Sequence, residues 1–362
     1  MELDPLKIIL QSKNWDAFVE NLSIFENAPE YRKVKGDAFE YLTKFLLKSD
    51  PIFSPILKDV YHHSELPIND RDNLKLANPE VGVDLVAVCH DGSYYAIQCK
   101  FHQNPEQNVT YDELSTFFSI TERENTYSKL SHRLVCTSAN SISDSVRKLH
   151  SKKLGFLTRA DFTSLDTQRF KEIHSLILGE KPIFKPFSPR VHQKKAVSLS
   201  KVFFEDMRQD RGKIIHPCGA GKSLTAYWIA KSLNSELVLI VVPSLALVKQ
   251  TLSTWSRQAI ADKLSIEYIA VCSDQDVRKS DDPLMNTHDL GISVTTQHSK
   301  VSKFLKTKSK NLRVLITTYQ SGNVVINATK DNHVLFDLGV FDEAHKTAGD
   351  RTKRFAQLLD DN

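Results

Sequence analysis

What this sequence lacks narrows its reading before any motif is considered. Cysteine is sparse: Cys89, Cys99, Cys136, Cys218 and Cys272 are scattered, and no two form a Cys-x-x-Cys pair. An odd, dispersed set supports neither a disulfide framework nor a structural zinc, so the reducing cytoplasm is the expected compartment. No apolar run is long enough to span a bilayer, and no membrane partner is expected. The most apolar stretch, 237–248, is broken by Pro243 and Ser244 and reads as a buried strand leading into the next element. The N-terminus opens with Glu2 and Asp4 rather than the basic start and apolar core of a signal peptide. There is no internal repeat and no low-complexity tract. Neither sign of charge dominates: 48 Lys and Arg against 44 Asp and Glu leave a formal +4. That excess permits a nucleic-acid partner without requiring one.

What is present fits a globular protein of two domains. The chain has 362 residues, 41% hydrophobic and 25% charged, which is long for one ordinary domain and comfortable for two. A seam is expected near 179–189, where Pro182, Pro186 and Pro189 crowd together. Each proline fixes its φ, removes a backbone donor and biases its predecessor away from helix. The expected domains are therefore 1–180 and 181–362. Beyond the seam, short β-branched runs alternate with helical patterns, as in a parallel sheet with crossover helices.

The strongest local signal runs from Lys213 to Ser223, Lys-Ile-Ile-His-Pro-Cys-Gly-Ala-Gly-Lys-Ser. A short strand is predicted to enter a loop of Pro217, Cys218, Gly219, Ala220 and Gly221, with a helix beginning at Lys222. Glycines there let backbone N–H groups turn inward around phosphate oxygens. Lys222 supplies a point charge to the β and γ phosphates, Ser223 offers a hydroxyl to Mg²⁺, and the helix N-terminus adds its own positive end. One departure is visible, since His216 stands where the strict pattern has glycine. A glycine turn capping a helix is the plain alternative. Downstream, Leu-Gly-Val-Phe-Asp-Glu-Ala-His, from Leu338 to His345, ends an apolar strand in two carboxylates. The carboxyl ends of strands are where α/β sheets bind ligands. Asp342 is expected to hold Mg²⁺ and Glu343 to polarise an attacking water.

These residues resemble the superfamily 2 helicases and translocases of the DEAH-box type, and more narrowly those of restriction systems. Arg190-Val-His-Gln193 is similar to the motif that precedes the P-loop in this family. The resemblance implies that Gln193 contacts adenine and Arg190 supports the loop. The segments 242–250 and 316–321 resemble its DNA-contacting motifs. In this family ATP lies between two RecA-like lobes, the second supplying an arginine to the γ phosphate. About fifteen residues follow Thr347, so a single lobe is expected here. Such a lobe would bind nucleotide, hydrolyse it poorly and not translocate alone.

In the N-terminal half, two alternating apolar runs flank His90-Asp-Gly-Ser93, a hairpin turn signal. Side chains alternate along a strand, so Gln98 and Lys100 are expected on one face, Cys99 on the other, with Asp84 on the partner strand within reach. A carboxylate, an amide oxygen and an ammonium converging there suit Mg²⁺-assisted hydrolysis. Asp84, Gln98 and the Cys99 carbonyl would ligate the metal, and Lys100 would orient or deprotonate water. This constellation resembles the PD-(D/E)xK nucleases, specifically the Mrr-like branch with Gln-x-Lys. The stretch from Lys35 to Glu40 is similar to that family's opening helix, which implies that Glu40 joins the metal site. The plain alternatives are a helical Glu40–Lys44 pair, worth a few tenths of a kcal/mol, an exposed Lys100 and an Asp84 that only ends a strand. The adjacent His62 and His63 are expected at the surface, and His90 in a turn.

The expected fold class is α/β: a nuclease-like mixed sheet followed by one RecA-like P-loop domain with a mainly parallel sheet. A nuclease ahead of such a motor is the layout of ATP-dependent restriction enzymes, including type ISP-like and type III-like systems. The resemblance implies ATP and Mg²⁺ as cofactors and double-stranded DNA as partner. A separately encoded second lobe, a methyltransferase or a specificity subunit would be further partners. The alternatives are an inactive DNA-binding fragment and an accessory domain joined to the motor lobe of a repair helicase.

Overall fold

The computed structural model describes residues 4–24, 29–76, 82–149, 153–217, 219–273 and 286–343. It divides into two compact units. The first comprises residues 1–183 together with His288–Ser293, and the second comprises Phe184–Thr287 and residues from Val294 onward. Residues 180–190, where the prolines crowd, form neither helix nor strand.

The first unit is built on five strands in their sequence order: β1 (Leu57–His62), β2 (Leu85–Cys89), β3 (Tyr94–Lys100), β4 (Leu130–Thr137) and β5 (Leu154–Leu157). The first three pair antiparallel, and β3, β4 and β5 pair parallel. The mixture follows from the connections. Residues 90–93 turn β2 directly into β3, with Gly92 in the left-handed region at φ 81°. From β3 to β4 the chain crosses through the Tyr111–Thr121 helix instead, which returns it in the same direction. That helix begins with a capping box: Thr110 Oγ1 accepts from Glu113 N, and Glu113 Oε2 accepts from Thr110 N. Its buried Leu114, Phe117 and Phe118 cluster with Val86, Ala96 and Val135 of the sheet. The 21-residue Pro29–Ser49 helix also packs on the sheet. Its Phe39 is fully buried among Trp15, Phe101 and Phe162, with ring centroids 4.9–6.2 Å away. Among the residues 288–293, Asp289 pairs with Arg147 at 3.0 Å.

The second unit holds four strands, β6 (Leu237–Val242), β7 (Ile266–Val271), β8 (Leu312–Thr318) and β9 (Leu338–Phe341), in the order β7-β8-β6-β9. Every pairing is parallel. β6 is buried along its whole length, as a central strand covered on both faces should be. The strand predicted ahead of the P-loop is not formed. Residues 211–217 have no regular structure, and Ile214 and Ile215 are 47% and 86% exposed. A strand needs a neighbour for its backbone groups, and among the described residues β9 pairs with β6 alone. The Leu245–Ala261 helix carries Trp255, 1% exposed and edge-on to Tyr227 at 5.5 Å. Its indole N–H donates to the Ser223 carbonyl at 3.1 Å, fixing the start of the P-loop helix. Trp255→Ala should lower the unfolding free energy by about 3–5 kcal/mol, measured by urea denaturation. A loss below about 1 kcal/mol would contradict this packing.

Candidate functional site

At the first unit's site, strand pairing does the positioning. Asp84 immediately precedes β2 and continues its ladder with β3: its N–H donates to the Ile97 carbonyl at 3.1 Å, and its own carbonyl accepts from His63 N at 3.0 Å. The carboxylate therefore lies across the end of β3. Its Oδ2 accepts from the Gln98 side-chain amide at 2.6 Å and from the Cys99 backbone N–H at 2.5 Å. Asp84 and Gln98 are 7% and 4% exposed, whereas Lys100 is half-buried. Among the described residues the Lys100 ammonium has no ion pair or hydrogen bond. Burial pushes the Cys99 thiol well above its ordinary pKa, helped by Cys136 beside it and by the charges of Asp84 and Glu40.

Glu40 does not pair with Lys44. Lys44 reaches across to Glu65, and Glu40 Oε2 approaches His62 Nδ1 at 3.6 Å. The expectation of surface histidines is corrected here: His62 and His63 are 9% and 2% exposed. His62 ends β1 and packs against Tyr41 of the Pro29–Ser49 helix at 4.2 Å between ring centroids, and His63 opens the 3-10 turn that follows. His90 lies in the exposed turn, as expected.

In the second unit, Gly219 and Gly221 take left-handed φ values of 74° and 80°, conformations that side chains rarely tolerate. Gly221 caps the Lys222–Ser232 helix. A Cβ there would come within 2.7 Å of the Gln193 amide nitrogen, so glycine is needed for space as well as for φ. Lys222 Nζ lies 3.5 Å from Glu343 Oε1 and 4.0 Å from Asp342 Oδ1. The parallel register of β6 and β9 brings the two carboxylates there, with Asp342 N donating to the Val241 carbonyl at 2.9 Å. The Ser223 hydroxyl is buried and has no hydrogen-bond partner among the described residues, which suits an oxygen kept for a cation. Cys218 and residues 344–362 lie outside the described residues.

Gln193 has partners other than the adenine edge the resemblance implied. It is 3% exposed; its Oε1 accepts from Arg190 N at 2.9 Å. Its Nε2 donates to the Ala220 and Gly221 carbonyls and to Thr225 Oγ1 at 3.1–3.3 Å. The side chain braces the P-loop from behind. Arg190 itself is exposed and contributes its backbone N–H. Sequence reasoning passed over His192, whose Nε2 lies 3.2 Å from the Ala220 carbonyl and whose ring meets His216 edge-on at 5.4 Å. The only signal for it was its place inside the Arg-Val-His-Gln motif. The segment 316–321 is likewise mostly internal. Thr317 Oγ1 donates to the Val271 carbonyl, and the Tyr319 hydroxyl to the Asp342 carbonyl at 2.7 Å.

Among the described residues no three His, Cys, Asp or Glu side chains stand together as a metal cluster. A cation at either place would need amide, hydroxyl, backbone, water or ligand oxygens as well. That donor set suits Mg²⁺, which keeps several waters and takes one or two carboxylates. At Asp84 the Gln98 amide presents its nitrogen. A half-turn about its last bond would present the oxygen instead.

The mixed sheet with its hairpin-borne Asp84, and the parallel sheet with a P-loop facing an acidic pair, are a nuclease-like fold followed by a RecA-like P-loop fold. Comparison with known proteins makes the class more specific. Residues 186–362 match the family described as Type III restriction enzyme, res subunit, and residues 48–171 match that described as Restriction endonuclease. The chain therefore combines a restriction-endonuclease domain with a helicase domain of the Type III res-subunit kind. A probable helicase of African swine fever virus is 28% identical over 172 residues, covering 47% of this chain and 18% of the viral protein. The corresponding protein of another isolate is 30% identical over 161 residues, covering 44% and 16%. The solved structure of the ATP-dependent Type ISP restriction-modification enzyme LlaBIII bound to DNA shares the fold. Its TM-score is 0.73 at 24% identity, over 94% of this chain and 21% of that one. The chain thus spans about a fifth or less of the length of these relatives. Among the described residues, no helix is long and apolar enough to cross a membrane.

Burial lowers the His62 pKa from 6.5 to about 4. Between those values the unfolded chain binds a proton that the folded chain does not, so stability falls as pH drops from 6.5 towards 4. His62→Gln should flatten this part of a plot of urea midpoint against pH. An unchanged slope would show that other groups carry the dependence.

Proposed function

We propose that this chain is the Mg²⁺-dependent DNA endonuclease and first motor lobe of an ATP-dependent restriction enzyme that cuts foreign duplex DNA. One observation carries the reading: the buried Asp84 carboxylate touches Gln98 and the Cys99 backbone, one residue from an ammonium with no ion pair among the described residues. Asp84, the Gln98 amide oxygen and the Cys99 carbonyl would hold Mg²⁺, with Glu40 joining them. When bound, the metal would polarise the scissile phosphate and offset the charge that develops on it. Lys100 orients or deprotonates the attacking water, which adds to phosphorus as the bond to the leaving oxygen breaks.

In the motor lobe, Lys222 lies beside Asp342 and Glu343. Bound ATP would take over Lys222 through its β and γ phosphates, with the backbone N–H groups of Gly219, Gly221 and Lys222 around them. Ser223 and Asp342 would then hold Mg²⁺, and Glu343 would be free to polarise water. Gln193 and Arg190 maintain the loop's shape. An arginine from a second lobe, from further chain or another subunit, would complete hydrolysis. A methyltransferase or specificity subunit would supply discrimination of foreign from host DNA.

Cleavage of supercoiled, unmodified plasmid with Mg²⁺, with and without ATP, tests both sites. Wild type should nick or linearise it, and Asp84→Ala and Lys100→Ala should each lower the rate by about 100-fold or more. Lys222→Ala should lose nucleotide binding and retain any ATP-independent nicking. Cutting by purified Asp84→Ala at the wild-type rate would refute the nuclease assignment. Cutting by neither protein, with DNA binding retained, would favour a non-catalytic DNA-binding role.

A further inference from the structure

From Leu290 to Lys330 the sequence contains no aspartate or glutamate, yet it carries seven Lys and Arg. The whole chain has an excess of only +4. This stretch therefore accounts for all of it, and the remaining residues together are slightly acidic. Five of the cations, Lys300, Lys303, Lys306, Lys308 and Lys310, lie on or just beyond the His298–Lys306 helix. All five are exposed, and none has an ion pair among the described residues. Val301 and Leu305 of the same helix are buried, which fixes its inner face and leaves the lysines on the outer one. Arg313 is different: its guanidinium donates to the Phe304 and Leu305 carbonyls at 3.1 and 3.4 Å and closes the helix end.

A cleft of about 660 Å³ opens beside these lysines, lined by Lys303, Lys306, Ser299 and Thr307. The single carboxylate in its lining, Asp331, is engaged by His298 at 3.0 Å. Like charges three residues apart repel by a few tenths of a kcal/mol per pair. The other nearby carboxylate, Glu267, accepts from Ser309 Oγ and Asn311 Nδ2 at 2.7 Å rather than from a lysine, so a surface that keeps five such cations out of ion pairs, next to hydroxyl donors, is shaped for an external polyanion. A nine-residue helix is about 13 Å long, and duplex DNA carries one charge per ~1.7 Å of axis. The lysine face therefore spans several phosphates, more than a mononucleotide offers.

We propose that this face binds the phosphate backbone of duplex DNA without regard to sequence, through a surface that shares no residue with the Asp84 or Lys222 centres. The choice of DNA as the polyanion rests on the function proposed above. Lysine ammoniums act as point charges, so they would set hold and register and leave base reading to other surfaces.

The test is the salt dependence of duplex binding by the 362-residue chain, using oligonucleotides of unrelated sequence. Replacing Lys303, Lys306 and Lys310 together with Gln should reduce the slope of log K against log salt by about 2–3, at ~0.9 per phosphate contact. Affinity at moderate salt should fall by about tenfold or more, equally for all sequences. The melting temperature and binding of an ATP analogue should be unchanged. Lys58→Gln, Lys148→Gln and Lys171→Gln combined form the control, since these lysines are also exposed. An unchanged slope in the first variant, or an equal loss in both, overturns the proposal while leaving the proposed function standing. Failure of the wild-type chain to bind DNA at low salt overturns both.

Discussion

Pairing of a central strand along both of its edges is the constraint on which both candidate sites depend. In the first unit that strand is β3, antiparallel to β2 and parallel to β4. The β2 side delivers Asp84 to the end of β3, and β3 itself carries Gln98, Cys99 and Lys100 to the same place. In the second unit the strand is β6. Its pairing with β9 sets Asp342 and Glu343 near Lys222, and the Leu245–Ala261 helix that follows β6 anchors the P-loop helix through Trp255. A one-residue slip in either ladder would send alternate side chains to the opposite face. The groups would then remain in the sequence but not in a site.

The two sites handle charge differently. Asp84 is enclosed, and two neutral donors, the Gln98 amide and the Cys99 backbone N–H, hold its carboxylate in place. Such a carboxylate keeps its attraction for a cation. The P-loop site is more open, with Lys222, Asp342 and Glu343 about a third exposed. Solvent screens those ion pairs, so each is worth little and is readily exchanged. That is a reasonable property for a lysine whose proposed partner is a phosphate. Its supports are, by contrast, buried: Gln193 and Trp255 meet loop and helix backbone with nearly all of their surface covered. Rigidity is thus placed behind the loop, and exchangeable charge in front of it.

Glycine is used sparingly and with purpose at these places. Gly92 turns the hairpin, and Gly221 both adopts a left-handed φ and leaves room for the Gln193 amide. A side chain at position 221 would press on the brace that holds the loop's shape.

Local sequence determined a good deal. Alternation and the turn at 90–93 specified the β2–β3 hairpin, and hence that Asp84 and Gln98 would meet. Gly221 followed by Lys-Ser specified where the P-loop helix begins. Thr110 with Glu113 specified a helix start. These features depend on residues within a few positions of one another, so their physics is complete in a short window. What depends on distant neighbours was decided by tertiary structure. His62 is enclosed because Glu40 and Tyr41, about twenty residues away in sequence, pack against it. Glu40 approaches His62 rather than Lys44 because Glu65, from a different element, draws the lysine away. Gln193 is used on the P-loop because its helix packs directly behind that loop. Residues 211–217 remain irregular, despite two adjacent isoleucines, because a strand's backbone groups are satisfied only by another strand, which a residue's own neighbours in sequence cannot supply.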